Sequence, residues 1–409
     1  MIHKVMALIT VLTFFLTACN TSEEGHSSDA LEKDWDQVVK DAEGSTVNLF
    51  MWGGDNGVNR YIDEWVAPKL KEKHHITLKR HPMDTNDFIH KLQTEKKAGK
   101  EKGTIDVIWI NGENFKNAKE NKLLLGSFVS KLPNFTKYID SDKNFTKSDM
   151  GTEIEGMEAP WGKVQFVIWY DSEKVQSPPE NLDELSTFIK KNPGTFTYPN
   201  PKDFSGNAFL RHVLYEKTGK NPKLNENADP SWLEGEDEAF WSYLKDITPQ
   251  LWRSGKTYPE SLSQLDQLYS KGEVWFTFGF NEARGEGLIK EGVFPPFTKS
   301  YVLDIGSIGN THYLSIPFNS SNPEGAMLAI NFMESPEAQL AKIDPSMWGE
   351  GMVLESNRLP KDIQSELKSL DRGDAVLSTK KLEEAYLPEL NSSYIDWIKE
   401  QWLHEVVQK

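Results

Sequence analysis

The sequence predicts an α/β protein made of two successive units, and three observations carry that prediction. Residues 46–113 alternate short apolar runs with helically spaced ones, in the order strand, glycine loop, helix, strand, helix, strand. A second alternation of the same kind fills residues 164–317. The chain is also long enough, at 409 residues, for two lobes of ordinary size, each with its own core.

In the first unit, Val47, Leu49, Phe50 and Met51 make a strand that ends at Trp52 and meets Gly53, Gly54, Asp55 and Asn56. Tyr61, Ile62, Trp65, Val66 and Leu70 then recur at helical spacing. A short strand follows over 76–78, a helix around Phe88, Ile89 and Leu92, and a strand over 105–110 that stops at Asn111, Gly112 and Glu113. Parallel sheets of this order bind ligands beyond the carboxyl ends of their strands, which is where both glycine loops fall.

The second unit is read as a strand over 164–170, a helix over 181–190 and a strand over 195–199. Helices over 207–218 and 238–251 follow, then an aromatic strand within 272–280 and a strand over 311–317. Asn322, Pro323 and Glu324 open a helix to Met333. The last helix runs over 393–407 and carries Trp397 and Trp402.

The first twenty residues point to a compartment. Lys4 precedes a run, residues 5–17, that is nearly all apolar or small yet too short to span a bilayer, which takes about 20 residues. It fits the h-region of a signal peptide. Leu16-Thr17-Ala18-Cys19 then resembles a bacterial lipobox, and the chain's one cysteine stands at the position that motif requires. The resemblance implies cleavage before Cys19, diacylglyceryl on its thiol and stable anchoring by acyl chains. Residues 20–30 are small and polar, as in a flexible tether.

Composition excludes several classes. A formal charge of −16 disfavours nucleic acid, whose phosphates need clustered Lys and Arg. One cysteine excludes a disulfide framework and a CxxC zinc site. No Gly-x-Ser-x-Gly nucleophile elbow and no His-Glu-x-x-His is present, and Gly255-Lys256-Thr257 lacks the earlier glycine of a phosphate loop. Two carboxylates paired only in space, as in a glycosidase, escape any such scan.

Several phrases, in order and spacing, resemble the solute-binding proteins of bacterial ABC importers. Ala159-Pro160-Trp161-Gly162 through Tyr170-Asp171 and Val175 is similar to that family's first crossover between lobes. Pro178 through Leu185 is similar to the proline-initiated helix after it, and Ser321 through Glu337 to a late helix pair. Within the family the nearest likeness is to a poorly characterised thiamine-type branch, carried by Tyr198-Pro199-Asn200-Pro201, Gly272 through Phe276 and Gly309 through His312. Polyamine and iron(III) binders are more distant.

The resemblance implies a type II periplasmic-binding-protein-like fold with a ligand cleft between lobes. Its expected parts are a signal peptide (1–18), a tether (19–45), lobe 1 (46–163 and 308–342) and lobe 2 (164–307 and 343–409). Crossovers fall near 160–166 and 304–310. It also implies no catalysis and no cofactor or metal. The implied partners are a small-molecule solute and the permease and ATPase subunits of an importer. A monomer held at the outer face of the bacterial cell membrane, touching it through the lipid anchor alone, completes the expectation.

The expected ligand contacts lie at strand ends. In lobe 1 they are Trp52, Gly53, Gly54, Asp55, Asn111, Gly112 and Glu113. In lobe 2 they are Tyr198, Asp203, Ser205, Phe280, Asn281 and Glu282, with Thr311, His312 and Tyr313 on the returning strand. Core packing, helix capping by Asp55 or Ser205, and burial of Trp109 are the competing roles. The aromatic and acidic mixture suits a cationic heteroaromatic solute such as thiamine, through cation–π contact beside a carboxylate. An oligosaccharide is the rival ligand, and an adhesion or receptor lipoprotein the rival role.

Overall fold

The computed structural model describes residues 26–226, 230–233 and 235–407. Cys19 and the signal segment lie outside them.

Lobe 1 is built on a mixed sheet. Strand β1 (Thr46–Met51) pairs in parallel with β2 (Thr77–Pro82) and β3 (Val107–Ile110). Between β1 and β2 the chain is helical from Asn56 to His74, with a π-type stretch at Tyr61–Val66. That helix turns Tyr61, Ile62, Val66 and Leu70 into the core, as their spacing requires.

Strand β4 (Glu158–Gln165) leads directly into β5 (Val167–Asp171), so Phe166 is the first crossing point to lobe 2. In lobe 2, β5 lies between β6 (Phe276–Gly279) and β7 (Thr298–Tyr301), antiparallel to both. The chain returns through β8 (Ser307–Ser315), which runs antiparallel to β3 on one side and to β4 on the other. The lobe-1 order is therefore β2-β1-β3-β8-β4, with the short β9 (Tyr386–Leu387) joined in parallel to the hinge end of β8.

The two crossings are stitched to each other. Phe166 N–H donates to the Ile308 carbonyl at 3.0 Å, and Ser307 Oγ to the Phe166 carbonyl at 2.6 Å. The Ile308 N–H donates to His212 Nε2 at 3.0 Å, a neutral acceptor because burial drives the His212 pKa down to about 3. A bridge between Lys163 and Gly351 pins the segment after 343 to β4, and the third crossing falls later, before Leu387 enters the lobe-2 core.

Three expectations are corrected. The stretch read as tether is structured from its middle onward: Trp35–Ala42 is a helix capped by Asp34, and its Val38 and Ala42 are fully buried in lobe 1. Lys33 pairs with Glu324 at 2.5 Å on the helix Pro323–Met333, against which this helix packs. Residues just after 343 do not join lobe 2. Trp348 packs with Tyr61 and Trp161, and Val353, Leu354 and Leu359 cluster with Tyr138 and Ile139 of lobe 1. Only the later stretch, through Leu387, Tyr394, Ile398 and Trp402, enters the lobe-2 core.

Finally, 195–199, buried from Phe196 onward, is no strand. Single bonds tie it, from Trp275 N–H to Thr195 and from Trp252 N–H to Phe196. Pro199 has no N–H to give a ladder, and Pro193 and Pro201 bound the segment on either side.

Candidate functional site: the seam between the lobes

Strand β1 ends at Trp52, and the ring folds back over the following turn. A Cβ on Gly54 would stand 2.3 Å from that ring, so only glycine lets it lie there. Trp52 remains 38% exposed and meets Trp109 edge-on at 6.5 Å. Gly53 is held by Asn59, whose side-chain amide donates to its carbonyl.

Asp55 has two jobs at once. One oxygen caps the next helix by accepting from Val58 N–H at 3.0 Å, and the other accepts from Arg284 Nε of lobe 2 at 3.3 Å. Arg284 is buried and also pairs with Asp266, yet its Nη1 has no partner. Gly54 and Ser263 approach each other at the same place, carbonyl to hydroxyl at 3.4 Å.

The second loop behaves differently. Asn111 holds the N-cap position of the helix Gly112–Glu120, and Gly112 takes φ +58°, a left-handed conformation costly for a residue with a Cβ. The Gly112 N–H donates to the carboxylate of Asp149, from a short hairpin (Ser148–Asp149 with Thr152–Glu153). Glu113 faces Lys399 of lobe 2 at 2.7 Å. Its charge is already answered by the protein, and burial still raises its pKa. The residue expected to meet a solute cation is thus a rivet between lobes, together with Arg60–Glu291 at 2.8 Å.

In lobe 2, most of the expected contacts are structural. Tyr198 is fully buried, stacked on Phe209, with its hydroxyl accepting from Trp402 Nε1. Asp203, not Ser205, caps the helix Phe204–Lys217, accepting from the N–H groups of Ser205 and Gly206 and from Leu262 N–H. Ser205 is buried in that first turn. Phe280 is nearly buried and packs on Phe204 at 5.2 Å. Asn281 adopts φ +72° and spends its side chain on Ala283 N–H and the Trp348 carbonyl. Glu282 pairs with Arg372 at 3.2 Å, leaving its other oxygen buried and unpartnered.

On the returning strand, Thr311 is half-buried and Tyr313 is in the lobe-1 core, donating to the Phe145 carbonyl at 2.9 Å. His312 sits between Trp109 (4.7 Å) and Glu350 (2.8 Å). Glu350 in turn neighbours the buried Lys342, whose Nζ also holds the Gly351 carbonyl and whose pKa burial lowers to about 8. This chain of contacts ties β8 to the segment around Gly351.

The structure also gathers residues that the sequence reading passed over. Arg211, on the buried face of the helix Phe204–Lys217, takes Glu389 in a two-pronged grip at 2.8 and 3.1 Å. Its guanidinium lies 4.9 Å from the Phe204 ring, which is 37% exposed. Arg211 and Phe204 are seven positions apart, two helical turns, so that spacing was the available signal. Tyr386, 56% exposed, lays its ring against Gly309, where a Cβ would stand 2.2 Å from it. Burial raises Asp149 of lobe 1 to about 8, and the charge of Glu389 across the seam in lobe 2 adds to that rise. Behind Asp149 lies Glu158, fully buried, with neither carboxylate oxygen partnered and its pKa driven well up by burial. Among the described residues no three His, Cys, Asp or Glu side chains gather closely enough to hold a metal ion.

Two lobes, three crossings and a seam lined by strand ends define a protein that takes a ligand between its halves. The chain belongs to the bacterial extracellular solute-binding protein family, which matches residues 65–368. It is 35% identical to Protein YnjB of Escherichia coli (strain K12) over 373 residues, covering 91% of this chain and 93% of that one.

Among solved structures it resembles the spermidine/putrescine ABC transporter substrate-binding protein PotD from Streptococcus pneumoniae (TM-score 0.59, 16% identity, 88% of this chain and 98% of that one). It also resembles a periplasmic thiamin binding protein (TM-score 0.58, 16% identity, 88% and 94%). The likeness to ABC-importer binding proteins read from the sequence, and the type II fold it implied, are thereby met.

Proposed function

We propose that this protein captures a small cationic organic solute, thiamine-like or otherwise heteroaromatic, outside the membrane and delivers it to the permease and ATPase subunits of an ABC importer. It acts as a monomer held by lipid on Cys19 at the outer face of the cell membrane, and it binds without turning its ligand over. The observation that carries the ligand class is Trp52. A tryptophan left 38% exposed at a strand end, its ring set by Gly54 beside a lobe-to-lobe contact, is a stacking platform. Tyr386 and Phe204 offer further aromatic surface, and the surplus of buried carboxylate at the seam favours a cation over a neutral sugar.

Calorimetric titration with thiamine, spermidine, maltotriose and fructose 6-phosphate tests the reading. It expects one of the two cations to bind at one site per chain and to be recovered intact afterwards. Tight binding of maltotriose alone, or conversion of the bound compound, overturns it.

A further inference from the structure

The seam brings together three acidic side chains, two of which, the buried Asp149 and Glu158, have no cationic partner among the described residues. Asp149 enters from lobe 1 on its hairpin and spends one oxygen on the Gly112 N–H. Glu389 enters from lobe 2 on the loop after β9, which meets that hairpin where Ser392 N–H donates to the Met150 carbonyl at 3.0 Å, and its charge works against that of Asp149. Glu389 is held through both oxygens by Arg211, which also donates to Asn207 and lies against the Phe204 ring, so the unpaired charge at the seam is that of Asp149 and Glu158. Glu158, from β4, stands behind Asp149 with both oxygens orphaned and no exposure, and Asp149 adds to the rise that burial imposes on it. Buried ionised carboxylates persist only when paired, and otherwise keep their protons.

The remaining titratable and charged groups around Asp149 do not supply a counter-charge. Tyr313 on β8 and Tyr386 on β9 are neutral phenols. Lys119 reaches Glu158 only at a distance and is bound to the Glu153 carbonyl and to Glu155. Lys399 is taken by Glu113 and Asp396.

We propose that Asp149 and Glu389, one from each lobe with the orphaned Glu158 behind them, seat the positive group of an organic solute, and that the arriving cation replaces a proton which leaves to solvent. This rests on the cationic reading above and deepens it. The carboxylic acid of Asp149 becomes a carboxylate, its proton passes to the buffer, and the solute's charge takes the proton's place, so charge at the seam is conserved. The same exchange couples capture to closure. Without a cation or a proton, bringing Asp149 up to Glu389 sets like charges together, whereas with the cation both lobes gain a shared partner.

The probes are thiamine and spermidine, titrated into wild-type protein between pH 6 and 8 in two buffers of different ionisation enthalpy. The observed heat should differ between buffers by close to one proton released per solute bound at pH 6, falling toward about half a proton at pH 8. Affinity should rise by up to tenfold per pH unit over that range, because the acid form must first ionise. Asp149→Asn, which keeps the acceptor for Gly112, should abolish both the proton release and the pH dependence and weaken binding at pH 8 by tenfold or more. Glu389→Gln should weaken binding while leaving Asp149's proton release in place. Cation binding with no proton release and with affinity flat in pH overturns this inference and leaves the proposed function standing. Failure of both cations to bind overturns the two together.

Discussion

Asp149 gives the most exacting test of the energetics, because its consequences appear in stability without any ligand. Burial raises its pKa from 3.8 to about 8, against the opposing pull of the Gly112 N–H. The folded state therefore holds a proton that the unfolded chain gives up at about pH 4. The stabilisation from this group is complete below the unfolded value and is lost as pH rises through the folded one, so stability falls between pH 4 and pH 8. At 1.36 kcal/mol per pH unit, the rise from 3.8 to about 8 is worth on the order of 5 kcal/mol at the upper end.

Asp149→Asn removes the titration and keeps the shape. Urea unfolding at pH 5, 6, 7 and 8 should show the wild type losing stability with a slope of about 1 kcal/mol per pH unit from this group. The variant should run flatter and be the more stable protein at pH 8. Parallel curves for the two proteins across that range would refute the assignment of a buried, proton-holding carboxyl at this position.

Four further outcomes are expected, three from the structure and the last from the sequence. Arg284→Ala should destabilise the protein by about 3–5 kcal/mol, since it strands Asp55 and Asp266 with a buried charge, and thermal unfolding would register it. Tyr198→Phe should cost only about 1 kcal/mol, the hydroxyl's bond from Trp402, with solute affinity unchanged by calorimetry. Trp52→Ala should weaken binding of a cationic solute by a few-fold to about thirtyfold, the range of one cation–π contact, without loss of stability in urea. Cys19→Ser should shift the protein from the detergent phase to the aqueous phase on Triton X-114 partitioning.

The sequence makes the sheet framework of lobe 1 legible because its signal is local. Alternation through Val47, Leu49 and Met51 and helical spacing through Tyr61, Ile62 and Val66 are read within a few residues. The structure buries all six. The strand ends, with Trp52 and Gly54, were legible for the same reason.

What the loops do was not legible, because it depends on partners far away in the chain. Asp55 meets Arg284 across 229 positions, and Glu113 meets Lys399 across 286. Nothing in either neighbourhood announces that pairing. Tyr198 and Tyr313 misled for a geometric reason: an aromatic beside a loop looks like a wall for a ligand, but pleating and proline turns pointed both rings inward. Asp149 and Glu389 belong to no motif, and only the approach of the lobes makes them neighbours.

The central claim is that a cationic solute is held between the lobes and closes them. Spin labels on Lys97→Cys in lobe 1 and Lys191→Cys in lobe 2, both exposed, in a Cys19→Ser background, would report the distance between lobes by double electron–electron resonance. The account predicts a broad distribution in the free protein that narrows and shortens on adding whichever of thiamine or spermidine binds, with maltotriose leaving it unchanged. A distance distribution unmoved at saturating cation would contradict it.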